Sequence, residues 1–406
     1  SFVTPCHRTA RSKSRPAARQ ACSMRPGFIT SRVLLRPLSH TPTPSSCLHR
    51  RVFATMSAPA APAASPLLAS LNSKLAAAQE PPTIVTHSGT FHCDEALACY
   101  MLRLLPGLDS APIKRTRDQP YIDDASSLKI VVDVGATYEP AAFRFDHHQR
   151  SFAETLGERD FSKTKLSSAG LVYKHFGRDI VRLLCGDLSP EDVDRVYFKI
   201  YESFVEEVDA IDNGVHPFDC DPTQIKYRYG STGLSARVGR LNPDWNEPAS
   251  DEDARFARAM ALAGEEFAAT LHHYAKSWLP ARTIVRAMLE SRFDAHPSGE
   301  IGILPQFAPW KSHVYELEKE LAVDKTLKYV VYEDASGSFR VQAVPVAEAS
   351  FESRRPLPEP WRGVRNTELS AMLGIPDCVF VHASGFIGGN RTKEGAMKMA
   401  EMALEL

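Results

Sequence analysis

The sequence "THSGTFHCDEALACY", residues 86–100, begins where the short run Thr83–Thr86 ends and leads into an amphipathic segment. Residues 83–86 are predicted to form a strand and residues 93–105 a helix, because apolar side chains recur in the second segment at helical spacing. Gly89 permits a tight turn between the two elements. A strand, a short loop and a helix in this order predict a βα unit, from which parallel sheets are built.

The elements that follow continue the α/β pattern. The apolar run from Ile130 to Val132 predicts a strand that is covered on both faces, as in a parallel sheet. The other strands are predicted at residues 143–145, 301–304, 329–332, 339–344 and 379–382, and the other helices at 168–176, 190–212, 251–278 and 392–404. The predicted fold is α/β, with an N-terminal doubly wound parallel-sheet domain and a smaller C-terminal mixed α/β domain.

Charge divides the chain into a basic N-terminus and an acidic body. No Asp or Glu precedes Glu80, and the 11 basic residues before it leave 37 basic and 49 acidic residues elsewhere, a net charge of −12. An Arg-rich, Ser-rich and acid-free N-terminus is typical of a transit peptide, which predicts the mitochondrial matrix. The alternatives are a disordered leader or translated upstream sequence. A start at Met56 would give a nuclear or cytosolic form.

Composition also excludes several classes of protein. No apolar run approaches the roughly 18 residues that cross a bilayer, so no membrane span is predicted. The eight cysteines include no CxxC pair, which argues against a zinc ribbon and against a disulfide framework. The segment from 57 to 66 contains only Ala, Pro and Ser and is typical of a linker.

Side chains that bind metals recur where the predicted strands end. His87 ends the first strand, and His92 and Asp94 lie where the next helix begins. The later candidates are Asp133, Asp146, His147, His148, Asp209 and Asp212. The carboxyl ends of parallel strands meet at one edge of a sheet, where ligands bind. Each residue alone has an ordinary structural explanation, but the ordered recurrence predicts one shared site.

Mixed Asp and His ligation suits divalent Mn, Mg, Fe or Zn. Two such ions about 3.5–4 Å apart clamp the attacking and the leaving oxygen of a phosphoryl transfer. The number of candidate ligands fits two ions. The residues therefore predict a two-metal phosphoryl-transfer site.

The order of these residues resembles motifs I to IV of the DHH phosphoesterase superfamily. Longer stretches, including "RFDHHQRSF", "LSARVGRLNPDW", "LPQFAPWK" and "FVHASGFIGGN", resemble one branch of it, the melanocyte-proliferating-gene protein family. The resemblance extends from about Thr83 to the C-terminus. Members of that family are described as 3′-to-5′ RNA exonucleases of mitochondria and nucleus.

The resemblance implies two divalent ions, Mn or Mg, and a role for each candidate residue. One ion would be held by His87, His92 and Asp133, with His92 standing where most of the superfamily has Asp. The other would be held by Asp94, Asp133, His147 and one of Asp209 and Asp212, so that Asp133 is the bridge. Asp146 would orient a ligating histidine. His148 would face the phosphate, as a hydrogen-bond donor or a proton carrier.

A glycine-rich stretch near the C-terminus, "HASGFIGGNRT", resembles the substrate-binding element of the superfamily's second domain. The residues expected to bind substrate are Gly385, Gly388, Gly389, Asn390 and Arg391. Glycines let the backbone approach an anion, and Thr392 is predicted to cap a helix whose N-terminus favours negative charge. The alternative is a packed turn between a strand and a helix.

The predicted function is a metal-dependent phosphodiesterase, a 3′-to-5′ exonuclease that hydrolyses single-stranded RNA with metal-activated water. The acidic body counts against nucleic-acid binding, which depends on cations that contact phosphates. One alternative is a phosphatase or phosphodiesterase for pyrophosphate, oligophosphate or dinucleotides, and another is an inactive metal-stabilised scaffold. The oligomeric state stays open, a homo-oligomer included.

The expected domain organisation follows from the motifs. The expected segments are a leader at 1–56, an Ala/Pro-rich linker at 57–82, a catalytic domain at 83–250, a connecting helix at 251–280 and a substrate-binding domain at 281–406.

Overall fold

The computed structural model describes residues 64–218, 221–224, 230–248, 251–324 and 326–406. The leader predicted for residues 1–56 lies outside the described residues, so its targeting role stays a prediction. Among the described residues, no helix combines the length and the apolar composition that a membrane crossing requires.

The first sheet has five strands in the order β2-β1-β3-β5-β4. The strands are β1 (Thr83–Thr86), β2 (Ile113–Arg115), β3 (Lys129–Val132), β4 (Tyr138–Glu139) and β5 (Arg144–Phe145). All neighbours pair in parallel except β4 and β5, which are antiparallel. β3 is buried along its whole length, as a strand covered on both faces should be. The prediction of an α/β fold with a parallel first sheet is confirmed.

Thirteen α-helices lie among the described residues. They are α1 (Pro66–Ala77), α2 (Cys93–Arg103), α3 (Gln119–Asp123), α4 (Ser168–Cys185), α5 (Pro190–Ile200), α6 (Glu206–Asp212), α7 (Leu234–Gly239), α8 (Glu252–His273), α9 (Leu279–Glu290), α10 (Arg292–Ala295), α11 (Lys311–Glu320), α12 (Asn366–Leu373) and α13 (Lys393–Glu405). A π-helical turn, Tyr201–Val205, joins α5 to α6, and another, Tyr274–Trp278, joins α8 to α9.

The linker prediction for residues 57–82 is wrong over α1. Ser65 caps this helix by accepting a hydrogen bond from Leu68 N at 3.2 Å, and Pro66 occupies its first turn. Leu68 and Leu71 are buried in the first core. Leu68, Leu71 and Leu75 recur at helical spacing and form an apolar face. The many Ala and Ser residues around them obscured this pattern.

The predicted connecting helix, 251–280, ends too early, because α9 continues to Glu290. A proline usually ends or kinks a helix, since it lacks the N–H that an α-helix interior uses. Here Pro280 lies two residues after the π-helical turn Tyr274–Trp278, where the hydrogen-bond ladder changes register. The proline therefore sits in a first turn, where its missing N–H costs little.

The second sheet is mixed and has the order β6-β7-β8-β10-β9. Its strands are β6 (Ile301–Ile303), β7 (Tyr329–Glu333), β8 (Phe339–Ala343), β9 (Cys378–Val381) and β10 (Ile387–Asn390). The expectation that residues 379–382 form the last strand is wrong, because β10 follows β9 in the chain. In the sheet, β10 lies between β8 and β9. Glycine is depleted in strands, but a Cβ at Gly388 would lie 2.9 Å from Leu357 Cδ1, so close packing selects glycine there.

The parallel strands position the candidate ligands. β1, β3 and β5 end next to one another, at His87, Asp133 and Asp146 respectively. Helix α2 then begins at Cys93, so that His92 and Asp94 flank its first residue. The four predicted ligands among these residues thus lie next to one another at one edge of the first sheet. They are His87, His92, Asp94 and Asp133.

Candidate metal centre

Asp133 is the central residue of the cluster. Its Oδ2 lies 3.3 Å from His87 Nε2, and its Oδ1 lies 3.3 Å from His147 Nε2 and 3.3 Å from His148 Nδ1. The residue adopts φ 58, a left-handed conformation that Asp tolerates better than most residues. Burial disfavours its charge, but hydrogen bonds from the three histidines outweigh burial and hold the pKa of Asp133 well below its usual range.

One group of ligand atoms comes from His87, His92, Glu95 and Asp133, all within 4.8 Å of one another. His87 Nε2 lies 2.9 Å from Glu95 Oε1. Glu95 also accepts hydrogen bonds from His92 N at 2.9 and 3.0 Å, which fixes the start of α2. Glu95 was missed in the sequence, although its place three residues after the N-cap is the spacing of a capping box.

Two further groups share residues with the first. Asp133, His147 and His148 form one, and His92, Asp94 and Asp212 form the other. His147 Nε2 joins them, because it lies 3.1 Å from Asp212 Oδ2. Asp133 and His92 each belong to two groups, so the ligands form one continuous cluster rather than separate sites.

Two buried histidines of this cluster, His87 and His147, have raised pKa values. Burial opposes the charge on His87 and His147, but the hydrogen bonds that these imidazoles donate to Asp133 and to Glu95 or Asp212 outweigh it and raise the pKa of each histidine to about 9. The clustered carboxylates therefore attract positive charge. A divalent cation would supply that charge and release the protons, as metal binding to histidine does.

Asp94 tests whether a cation fits. Its side chain is fully buried, and neither carboxylate oxygen has a hydrogen-bond partner among the residues that the structure describes. Burial, and then the nearby charges of Asp133, Glu95 and Asp212, raise the pKa of Asp94 well above its usual range. An unpaired buried carboxylate is costly unless a cation or a proton neutralises it. The donor set of carboxylates and imidazoles therefore fits one or more divalent cations.

Replacing Asp94 by asparagine is expected to have opposite effects with and without metal. Removing the uncompensated charge should raise the Tm of the metal-free protein by about 2 °C or more, and should also reduce the additional rise that MnCl₂ produces. Thermal unfolding of both proteins in chelator and in Mn²⁺ measures the two effects. Asp187→Asn, at an exposed loop aspartate, is the control. A variant that keeps the full manganese shift would remove Asp94 from the ligand set.

The structure separates Asp209 from Asp212. Asp209 accepts hydrogen bonds from Ser167 N at 2.9 Å, Ser167 Oγ at 2.6 Å, Gly170 N at 3.0 Å and Tyr201 OH at 3.2 Å. Burial raises its pKa to about 7 against the lowering effect of these bonds. Of these two aspartates, only Asp212 contacts His147 and joins a candidate ligand group among the described residues. Asp209 thus links α6 to the start of α4 through hydrogen bonds and does not reach the cluster.

Asp146 contacts His148 on one side and the backbone on the other. Its Oδ1 accepts hydrogen bonds from His148 N at 3.0 Å and His148 Nδ1 at 2.9 Å, while its Oδ2 accepts one from Ala136 N at 2.6 Å. The His148 side chain is 61% exposed. Hydrogen bonds to Asp133 and then to Asp146 raise the pKa of His148 to about 10, so it is protonated at neutral pH. The second ring nitrogen is left to face a ligand.

Arg117 lies beside the cluster and was also missed in the sequence. Its Nη2 is 3.0 Å from His87 Nδ1, and its Nε donates to Ser88 O at 3.0 Å. The residue is exposed and follows β2, a strand that was not predicted, so no local pattern pointed to it. It offers a guanidinium within reach of an anion at the cluster.

The glycine-rich element belongs to the second sheet, and most of it is packed. Asn390 is fully buried; its Nδ2 donates to Pro376 O at 2.7 Å, and its Oδ1 accepts from Thr392 N at 2.9 Å. Gly385, Gly388 and Gly389 are buried as well. Thr392 caps α13, as predicted, by accepting a hydrogen bond from Gly395 N at 3.0 Å. The side-chain groups of Asn390 are thus already used, whereas Arg391 is exposed.

Comparison with known proteins gives a consistent family. The model of an uncharacterised protein family, UPF0160, matches residues 83–404. The MYG1 exonuclease of Mus musculus is 53% identical over 331 residues, which cover 80% of this chain and 85% of that protein. The MYG1 protein of Dictyostelium discoideum is 50% identical over 321 residues, covering 78% of this chain and 95% of that protein.

A structure of RecJ with Mn²⁺ from Thermus thermophilus aligns with 84% of this chain and 54% of its own, at 14% identity and a TM-score of 0.22, which is too low to establish a shared fold. The family model matches residues 83–404, a range that contains both sheets and all residues of the cluster. The chain therefore belongs to the MYG1 family, UPF0160.

Proposed function

We propose that this protein is a metal-dependent exonuclease that shortens single-stranded RNA from its 3′ end. The observation that carries the proposal is the carboxylate of Asp133, which three imidazoles share beside the unpartnered carboxylate of Asp94. The name exonuclease that the mouse relative bears supports the same chemistry. A scaffold would have no use for a buried, uncompensated carboxylate, because such a group only destabilises a fold.

Two divalent ions, Mn²⁺ or Mg²⁺, are the proposed cofactors. The residues His87, His92, Glu95 and Asp133 would hold one ion, and Asp94, His147 and Asp212 would hold the other together with Asp133. When bound, such ions lower the pKa of a water molecule and stabilise the charge that develops on a phosphate. The ligand set differs from the expected one in the addition of Glu95; of the two alternatives Asp209 and Asp212, it takes Asp212.

His148 is the proposed general acid. Its Nδ1 is held by Asp146 and Asp133, so the exposed Nε2 can donate a proton to the oxygen that leaves the phosphorus. Asp146 keeps the ring in place, because its other oxygen is fixed by Ala136 N. Arg117 and Arg391 are the proposed contacts for substrate phosphates, and an arginine suits that role through its paired donors.

The test uses the full-length protein with Mn²⁺, Mg²⁺ or chelator on three substrates: a single-stranded RNA oligomer labelled at its 5′ end, the same sequence as DNA, and pyrophosphate. We expect a metal-dependent ladder of progressively shorter RNA, because a 5′ label is retained while nucleotides leave the 3′ end. His148→Gln should slow the ladder strongly. Phosphate released from pyrophosphate, with RNA intact, would overturn the proposal and favour a small-molecule phosphatase.

A further inference from the structure

Trp245 is exposed to an unusual degree. The chain has four tryptophans, of which Trp278, Trp310 and Trp361 are only 4%, 2% and 3% exposed. Trp245 is 96% exposed. A large aromatic ring that stays in water buries none of its apolar surface, so it contributes nothing to the stability of the fold. A fully exposed tryptophan says more about function than an exposed leucine does, and it indicates a ligand-binding role.

The ring is carried by a turn that is held from several sides. Glu247 N donates to Asp244 O at 3.0 Å and closes the turn, while Asp244 N donates to Glu247 Oε2 at 3.0 Å. Arg255, in α8, donates to the same oxygen of Glu247 at 2.9 Å and to Leu241 O at 3.3 Å. The backbone under Trp245 is therefore fixed before any ligand arrives, which lowers the entropy cost of binding.

The same turn is tied to the candidate metal centre. Asn242 Oδ1 accepts from Phe91 N at 3.0 Å, and Asn242 Nδ2 donates to Phe91 O at 2.8 Å. Phe91 directly precedes His92, a member of two ligand groups. Since consecutive Cα atoms are about 3.8 Å apart, the Cα of Trp245 lies at most about 11 Å from that of Asn242. The turn that carries the exposed ring is thus anchored to the residue that precedes the cluster's His92.

We propose that Trp245 is a stacking platform for a base of a single-stranded nucleic acid whose terminus occupies the metal centre. This inference rests on the proposed function and adds a base-binding subsite to it. Stacking on an aromatic ring is tolerant of sequence and requires no cation. It therefore supplies affinity that an acidic body, with a net charge of −12 beyond residue 79, gains less readily from phosphate contacts.

Binding, measured apart from cleavage, tests the subsite. The full-length protein is titrated in chelator with hexa-adenylate RNA and with an abasic oligomer of equal length, and tryptophan fluorescence and anisotropy are recorded. The wild type should prefer the base-bearing oligomer, and Trp245→Ala should lose about 5- to 150-fold in affinity for it, the range that one stacked base contributes. Trp245→Phe should retain most of the preference. Quenching should vanish in both variants, because the other tryptophans are buried.

Phe351→Ala is the matched control, because Phe351 is equally exposed but lies in the loop after β8. It should bind as the wild type does. Equal affinity of the wild type for both oligomers, or an unchanged preference in Trp245→Ala, would overturn the inference. So would a change of oligomeric state in that variant, which would assign the ring to a protein interface. Failure of the RNA ladder with the base preference intact would instead count against the exonuclease alone.

Discussion

Asparagine in place of Asp133 is expected to reduce RNA hydrolysis by more than about 100-fold, because a partner one step removed from a metal already costs about 10- to 100-fold. The carboxylate serves His87, His147 and His148 at once. An amide has nearly the same shape but no negative charge. Loss of the charge should therefore weaken the binding of both ions and release the three imidazoles from their common partner.

Asparagine is the right substitution, because Asp133 has a positive φ of 58. Alanine there would add about 1–2 kcal/mol of backbone strain, whereas asparagine tolerates this conformation. The rate of RNA shortening and the Tm of Asp133→Asn and Asp133→Ala separate the two effects. We expect equal losses of rate, with a Tm that is lower for alanine than for asparagine. Turnover close to that of the wild type in Asp133→Asn would exclude the shared carboxylate from the chemistry.

Alanine at Asp209 is expected to cost about 3–5 kcal/mol of unfolding free energy, because it leaves several buried donors without an acceptor. Ser167 N and Gly170 N would both lose their hydrogen bonds. The site cannot relax easily, since a Cβ on Gly170 would already collide with both oxygens of Asp209. Alanine at Asp212, whose side chain is 15% exposed, should instead change the unfolding free energy little and weaken Mn²⁺ binding.

Urea unfolding in chelator, followed by titration with Mn²⁺, distinguishes the two aspartates. The expected pattern is a large loss of stability with retained metal affinity for Asp209→Ala, and the reverse for Asp212→Ala. A stable Asp209→Ala protein that no longer binds Mn²⁺ would exchange the roles assigned to these residues.

The elements that could be predicted from sequence are those whose local pattern agrees with their final environment. β1 was predicted with its observed limits, and β3 within one residue, because both are apolar runs that end at polar ligands. β10 could not be predicted, because the need for its glycines comes from close contacts with Leu357 and Arg340, which lie far away in the chain. Tertiary packing, not local propensity, makes that segment a strand.

The candidate site was predictable to the same extent. Ligands at strand ends follow from sheet topology, and His87, Asp133 and His147 indeed lie together. Asp209 and Asp212 share one helical face in the sequence, so their spacing could not tell which one reaches the cluster. That difference depends on Ser167 and Tyr201, which fill the acceptor sites of Asp209 from two other segments.

Helix α1 limits how much of the N-terminus the protein can lose. Leu68 and Leu71 are part of the first core, and Ser65 N also donates to Asp179 Oδ1 at 3.1 Å. A polypeptide that begins at Met56 keeps this helix whole. Proteolysis between residues 72 and 80 would remove both leucines, each worth about 1.5–3 kcal/mol of burial, and would expose the apolar surface that they cover. A cut that leaves the first core intact is therefore expected to fall before Ser65.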